Sequence, residues 1–191
     1  MIIVNNYNNN MINLKSKISR ALLDYFLLNK KESRYVNELA RLLKLDPGNT
    51  FKKLKEFEVE GILSAEFKGK QNYYSLNLKY PLLKEYEKLY ESKFGLVKAL
   101  EEKLGKLKGL EEAFIFGSFA KGNFSDDSDI DLLVIGKHDF KELAKIISNL
   151  ESRFSREINV VDFEKAEFLK RKKSGDDFIK NILSTKTIKI K

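Results

Sequence analysis

Several residue types are scarce in this chain of 191 residues: it has no cysteine, no tryptophan, two prolines and one histidine. Without cysteine, neither a disulfide bond nor a thiolate metal site can form. The sequence has no apolar run of about 18 residues, so no membrane-spanning helix is expected. The N-terminus lacks the basic and apolar regions of a signal peptide. We therefore expect a cytoplasmic protein without a membrane partner.

The positive charge of the chain is unevenly distributed. The net charge is +8, and residues 1–110, with 21 Lys and Arg against 13 Asp and Glu, account for all of it. Residues 111–191 carry 15 of each sign. A basic segment joined to a neutral one favours contact between the first segment and nucleic acid. A lysine-rich surface that serves solubility is the alternative explanation.

The pattern of residues 15–80 is that of a small helical domain followed by a hairpin. Helical spacing of apolar residues predicts a helix over residues 16–28 and a second, shorter helix after it. Asp46 as N-cap, followed by Pro47, predicts a third helix that ends at Gly61. Its inward-facing residues are expected to be Phe51, Leu54 and Phe57. A β-hairpin with a basic tip follows. This order resembles that of archaeal and bacterial winged helix-turn-helix regulators, and the resemblance implies binding to double-stranded DNA.

In such a domain the third helix enters the major groove and the hairpin tip lies beside it. Lysines mostly contact phosphates, whereas Asn49, Thr50 and Gln71 are suited to reading base edges. The expected DNA-binding residues are Asn49, Thr50, Lys52, Lys53, Lys55, Lys68, Lys70 and Gln71.

The rest of the chain divides into a tail, a linker and a second domain. The asparagine-rich residues 1–14 predict a flexible tail. Residues 81–109 predict a linker helix, whose apolar stripe over residues 82–94 is either part of a core or the seam of a homodimer. Two glycines near residue 109 place the boundary of the second domain, residues 110–191.

Two apolar strands in the second domain carry the most specific pattern of the sequence. The first, Phe114-Ile115-Phe116, ends at Gly117-Ser118, and the second begins as Ser128-Asp129-Ile130-Asp131. Side chains alternate along a strand, so Asp129 and Asp131 share a face with Cα atoms about 6–7 Å apart. Carboxylates and phosphate oxygens are ligands that Mg²⁺ prefers. The pair therefore predicts a metal site that receives a nucleotide.

The Gly117-Ser118 bend is suited to holding a phosphate. Glycine lets backbone N–H groups approach an anion closely, the Ser118 hydroxyl is a further donor, and Lys121 adds a positive charge. A helix that begins at this bend would also direct its positive end at the anion. Gly117, Ser118 and Lys121 are therefore the expected nucleotide-binding residues.

The Gly-Ser bend and the Asp-x-Asp pair together resemble the nucleotidyltransferases related to DNA polymerase β, and most closely their minimal branch. The resemblance implies an α+β fold with a C-terminal mixed sheet. It also implies that the site binds two Mg²⁺ or Mn²⁺ ions together with a nucleoside triphosphate, of which ATP is the first expectation. It further implies that Asp129 and Asp131 are the catalytic pair. The reaction so implied is transfer of a nucleotide monophosphate to a small molecule or, as in an antitoxin, to a protein such as a toxin of the HEPN type.

The position that aligns with the third metal-binding acid of this family is Asn159, an amide that can neither act as a base nor bring charge. Glu157, two residues earlier on the same strand face, is the substitute that the sequence offers. Three hypotheses stay open: an active enzyme, a DNA-binding regulator that only binds nucleotide or a partner, and an acidic pocket that serves as a protein interface. His138, the sole histidine, is expected in a loop. The core of a small C-terminal helix is expected to contain Phe178, Ile179, Ile182 and Leu183.

Overall fold

The computed structural model describes residues 16–123 and 128–191, so the predicted tail over residues 1–14 lies outside the described residues. Buried apolar side chains gather in one N-terminal cluster and on both faces of a C-terminal mixed sheet. The α+β class and the mixed sheet predicted above are confirmed. Among the described helices, none has the length and apolar character needed to cross a bilayer.

The N-terminal part contains helices packed on a small antiparallel sheet of strand order β1–β3–β2. The predicted start of the third helix is confirmed, because the Asp46 side chain accepts a hydrogen bond of 2.8 Å from the Asn49 backbone N–H and Pro47 is the first helical residue. Gly69 and Lys70 both have positive φ angles, as a two-residue hairpin turn requires. The elements are α1 (Lys17–Leu28), β1 (Ser33–Tyr35), α2 (Val36–Leu42), α3 (Pro47–Val59), β2 (Leu63–Lys68) and β3 (Gln71–Leu76).

Two neighbouring positions of α3 differ from the prediction. Thr50, expected to be exposed, is fully buried, and its hydroxyl donates a hydrogen bond of 2.8 Å to the Asp46 carbonyl oxygen. Phe51, which helical spacing placed inward, is 45% exposed. The buried face follows Thr50, Leu54 and Phe57, spaced four and three residues apart. The prediction was therefore wrong by one residue, about 100° around the helix axis.

The predicted single linker helix is two helices, α4 (Leu83–Lys93) and α5 (Leu96–Leu104). The break falls at Gly95, which caps α5 with an extended backbone. A Cβ atom at Gly95 would lie 1.9 Å from the Glu91 carboxylate, so a larger residue does not fit there. The two helices also belong to different cores: α4 packs on the N-terminal cluster, and α5 packs under the C-terminal sheet.

The apolar stripe of α4 is part of the N-terminal core. Leu83 and Tyr90 are buried, and Tyr86 and Phe94 pack against the same cluster. Of the two roles considered for this stripe, core is therefore confirmed. Leu82 and Leu89 of the same stripe are 52% and 44% exposed, so the homodimer seam stays a prediction.

The C-terminal part is a four-stranded sheet of order β6–β5–β4–β7 with helices on both faces. β5 and β6 are parallel, whereas β4 is antiparallel to both β5 and β7. The elements are β4 (Leu110–Phe116), α6 (Gly117–Lys121), β5 (Ile130–Gly136), α7 (Phe140–Phe154), β6 (Ile158–Phe163), α8 (Lys165–Ser174), α9 (Asp177–Ser184) and β7 (Ile188–Lys189).

The two faces of this sheet are covered by different helices. On one face, Ile130, Leu132 and Val134 of β5 are fully buried against α5 and α7. On the other, Leu133 and Ile135 are buried against α8 and α9. Alternation along β5 therefore assigns Asp129 and Asp131 to the α8–α9 face.

A charged network joins α1 to the C-terminal end of α7. Asp24 of α1 is 2% exposed and accepts hydrogen bonds from the Tyr90 hydroxyl at 2.6 Å and from Arg153 Nε at 2.9 Å. Burial raises the pKa of Asp24, which the Arg153 and Tyr90 hydrogen bonds partly oppose. A buried carboxylate needs such partners because an unpaired buried charge is strongly unfavourable. The network therefore fixes α7 against the N-terminal part.

Glu91 lies close to this network and gives the protein a pH-dependent stability. Burial, together with the charges of Asp24 and Glu87, raises the pKa of Glu91 from 4.5 to about 7. Between these two pH values the folded state binds the proton more tightly than the unfolded state, so the free energy of unfolding falls as pH rises. We expect Glu91→Gln to remove this slope and to be more stable than the wild type at pH 8, by about 1–3 kcal/mol.

Urea unfolding of both proteins from pH 5 to pH 8 measures this difference. Glu102→Gln, which removes an exposed acid of α5, is the control and should keep the wild-type slope. Equal slopes for wild type and Glu91→Gln would contradict the assignment.

Candidate active site

Two acidic side chains lie at the end of the α8–α9 face that apolar side chains do not cover. Asp129 immediately precedes β5 and is exposed, and Asp131 lies within the strand and is partly buried. Below them on the same face, Leu133 and Ile135 are covered by apolar side chains. The β5 side chains on this face therefore change from acidic to apolar along the strand, and only the acidic end is accessible to solvent.

The Gly117 bend lies directly against this acidic end. In the β4–β5 ladder Phe116 is the partner of Asp131, so the next residue, Gly117, follows at the level of the carboxylate. A Cβ atom at Gly117 would lie 2.0 Å from Asp131 Oδ2, and the φ angle of Gly117 is +71°. Glycine is required here both for its backbone conformation and for the close approach of the acid.

Asn159, on the neighbouring strand β6, lies beside Asp129 and Asp131. It is the β6 partner of Asp131 in the parallel ladder, and its Nδ2 donates a hydrogen bond of 3.2 Å to Asp129 Oδ2. The position aligned above with the third acid is thus beside the pair. Within residues 16–123 and 128–191, no three His, Asp or Glu side chains form a possible metal-binding group. Glu157 therefore does not complete a three-acid site.

The two acids and the amide have the chemistry of a divalent-cation site. Burial and the charge of Asp129 raise the pKa of Asp131, because two carboxylates on one strand face repel each other. A divalent cation between them would offset this repulsion, and Mg²⁺ commonly binds to two carboxylates together with phosphate oxygens. The residues present therefore fit such an ion.

The remaining predicted site residues lie around the bend. Ser118 is in the first turn of α6, a short helix that begins at Gly117, and Lys121 is exposed in its last turn. His138 is in the loop between β5 and α7, as expected, but its side chain is 2% exposed and its Nε2 lies 3.2 Å from Asp162 Oδ2. It lies at the opposite end of β5 from Asp131.

Arg156 is a residue near the site that the sequence pattern did not identify. Its guanidinium donates hydrogen bonds to the Ser128 carbonyl oxygen at 3.4 Å, to the Leu28 carbonyl oxygen at 3.2 Å and to Asn29 Oδ1. Ser128 immediately precedes Asp129, so Arg156 connects the end of α1 to the chain that carries the acids. An arginine just before a strand is too common a feature to predict such a role.

Comparison with known proteins gives the family to which this arrangement belongs. A family model described as polymerase beta nucleotidyltransferase matches residues 98–186. A protein of Methanocaldococcus jannaschii named as a protein adenylyltransferase is 31% identical over 91 residues, which cover 45% of this chain and 89% of that protein. The chain belongs to the polymerase β nucleotidyltransferase family. The matched residues include the Gly117 bend, both acids and Asn159.

Solved structures with partial similarity to this chain include two toxin–antitoxin complexes. One, described as a toxin–antitoxin with AMP-PNP, is 19% identical and covers 50% of this chain and 69% of that one, with a TM-score of 0.35. The other contains a tri-AMPylated HEPN toxin of Shewanella oneidensis with its MNT antitoxin. It is 17% identical and covers 50% of this chain and 72% of that one, with a TM-score of 0.30.

The contact between Gly117 and Asp131 gives a direct test of the site. Gly117→Ala should displace the Asp131 carboxylate and reduce or abolish the rise in melting temperature that Mn²⁺ produces. Gly122→Ala is a matched control, because Gly122 also has a positive φ angle, +81°, but has no atom within 4 Å of a built Cβ.

Both substitutions strain the backbone, which costs about 1 kcal/mol or more. Only Gly117→Ala should lose the response to the metal ion, measured by differential scanning fluorimetry with and without Mn²⁺. An equal Mn²⁺ response in the two variants would contradict the proposed role of Gly117.

Proposed function

We propose that the C-terminal part of this nucleotidyltransferase binds a nucleoside triphosphate with Mg²⁺ or Mn²⁺ and transfers the nucleotide monophosphate to an acceptor protein. The observation that carries the proposal is the position of Asp129 and Asp131 against the Gly117 bend, with Asn159 beside them. The Methanocaldococcus jannaschii relative, named for protein adenylyltransfer, supports ATP as the nucleotide and a protein as the acceptor. A toxin of the HEPN type is the acceptor class implied by the family resemblance.

Different residues would bind the phosphates and stabilise their negative charge. Gly117 and Ser118 would hold the phosphates through backbone N–H groups and a hydroxyl, and Lys121 would add a positive charge. The acceptor hydroxyl oxygen forms a bond to the α-phosphorus, the bond to the pyrophosphate oxygen breaks and pyrophosphate leaves. The hydroxyl proton passes to solvent water. The metal ions held by Asp129 and Asp131 would supply stabilisation of the negative charge on the phosphates.

Asn159 determines how efficient this transfer is. Its amide donates to Asp129 and so orients that acid, but it cannot accept the proton that the acceptor hydroxyl loses. General-base assistance typically contributes about 10²–10⁴-fold to a rate. The second candidate function, a domain that binds nucleotide or a partner without transfer, is favoured by this same residue.

An assay with α-phosphate-labelled ATP distinguishes the two functions. The protein is incubated with the nucleotide, Mg²⁺ or Mn²⁺ and a lysate of its source organism, and labelled protein is detected after electrophoresis. We expect label transfer by the wild type, its loss in Asp129→Ala and Asp131→Ala, and about tenfold or more faster transfer by Asn159→Asp, which restores a base.

Each outcome of this assay has a separate meaning. Metal-dependent nucleotide binding without transfer by either wild type or Asn159→Asp would support the second function. Neither binding nor transfer would contradict both functions, and would leave the acidic end of the sheet as a protein-binding surface.

For the N-terminal part we propose a winged helix-turn-helix domain that binds double-stranded DNA. The order of α2, α3 and the β2–β3 hairpin supports it, as does the excess of positive charge in residues 1–110. The structure limits the contacts, since Thr50 is buried and three of the lysines, Lys53, Lys55 and Lys68, form ion pairs with Glu56, Glu58 and Glu66. The exposed residues of the expected set are Asn49 and Lys52 on α3, and Lys68, Lys70 and Gln71 at the hairpin tip.

Binding to DNA should depend strongly on salt and on the exposed lysines. Each lost phosphate contact lowers the slope of log affinity against log salt by about 1, so the double variant Lys52→Glu/Lys70→Glu should lower it by about 2. Lys141→Glu/Lys145→Glu, at two exposed positions of α7, changes the net charge by the same amount and is the control. Fluorescence anisotropy with a labelled duplex measures both slopes, and equal losses in the control and the double variant would contradict this interface.

A further inference from the structure

Phe178, on the helix beside the acidic end of the sheet, is half exposed where an apolar residue of this helix is expected to be buried. It was predicted as core with its neighbours, but it is 45% exposed, whereas Ile179 and Ile182 of the same helix are 1% and 4% exposed. Exposure of one phenylalanine is common and needs no explanation by itself. Its position relative to Asp131 is what distinguishes it.

A chain of three contacts places Phe178 next to the acids. Phe116 and Asp131 are partners in the antiparallel β4–β5 ladder, so their side chains lie side by side on the same face. The Phe178 ring packs edge to face on the Phe116 ring, with centroids 6.3 Å apart and an interplanar angle of 89°. Phe178 is thus one aromatic ring away from the carboxylate that would bind the triphosphate metal.

A bound nucleotide presents two chemically different parts to this region. Its triphosphate is charged and is drawn to the Gly117 bend and the metal-binding acids. Its base is flat, aromatic and uncharged, and stacks on an accessible aromatic ring. Among the described residues, the aromatic rings at this end of the α8–α9 face are Phe178 and Phe116, which contact each other.

We infer that Phe178 is the stacking surface for the base of the nucleotide, and that its ring determines how tightly a nucleoside triphosphate binds relative to triphosphate alone. Phe116 supports it from below by the edge-to-face contact. This inference rests on the proposed function, since it assumes that the Gly117 bend and the two acids hold the phosphates.

The test compares two ligands, a non-hydrolysable ATP analogue and inorganic tripolyphosphate, each with Mg²⁺, by isothermal titration calorimetry. Phe178→Leu keeps an apolar side chain of similar size but removes the aromatic ring. It should weaken binding of the ATP analogue about tenfold or more and leave tripolyphosphate binding within about twofold of the wild type. Phe178→Tyr should retain the wild-type affinity for both ligands.

Leu183→Ala is the matched control, because Leu183 is on the same helix and has the same exposure, 45%, but lines a different surface with Lys172 and Lys180. It should change neither affinity. Circular dichroism melting of each variant shows whether it is folded.

Three results would overturn the inference. The first is a parallel loss for both ligands in Phe178→Leu, which is the behaviour of a residue that only supports the fold. The second is unchanged binding of the ATP analogue, and the third is a wild type that binds the analogue no more tightly than tripolyphosphate. A wild type that binds neither ligand would overturn the proposed function itself, and this inference with it.

Discussion

The register of three neighbouring strands is the constraint on which the site depends. Phe116 of β4, Asp131 of β5 and Asn159 of β6 lie in one row across the sheet. A shift of one residue in either ladder would move the partner side chain to the opposite face, which packs against α5 and α7. The buried residues Ile130 and Leu132 on that opposite face oppose such a shift, because it would expose them. Apolar packing on one face thus fixes the acidic residues on the other.

The same site is connected to the N-terminal part through α7 and through Arg156, two residues after its end. Arg153 pairs with the buried Asp24 of α1, and Arg156 bonds both to the end of α1 and to the Ser128 carbonyl oxygen. The N-terminal end of β5, where Asp129 and Asp131 lie, is therefore held in part by contacts with α1. A rigid connection of this kind is required if a conformational change in the N-terminal part is to affect the C-terminal site, or the reverse.

Much of the fold and of the site was predictable because short-range patterns determine them. The Asp46-Pro47 helix start, the hairpin, and the shared face of Asp129 and Asp131 all follow from spacing along the chain. Spacing did not indicate the break at Gly95. Long-range packing decided which face of α3 is buried and how far Phe178 is exposed, because both depend on neighbours distant in sequence. The contacts of Arg156 and Asp24 are likewise tertiary, and no local pattern indicates them.

The central claim is that Asp129 and Asp131 together bind a divalent cation at the Gly117 bend. Crystals grown with Mn²⁺ and a non-hydrolysable ATP analogue, measured at a wavelength where manganese scatters anomalously, locate that ion directly. Our account predicts an anomalous peak within about 2.0–2.3 Å of carboxylate oxygens of both residues, with phosphate density beside Gly117 and Ser118. Manganese bound elsewhere, or nucleotide bound with no metal between these two acids, would contradict it.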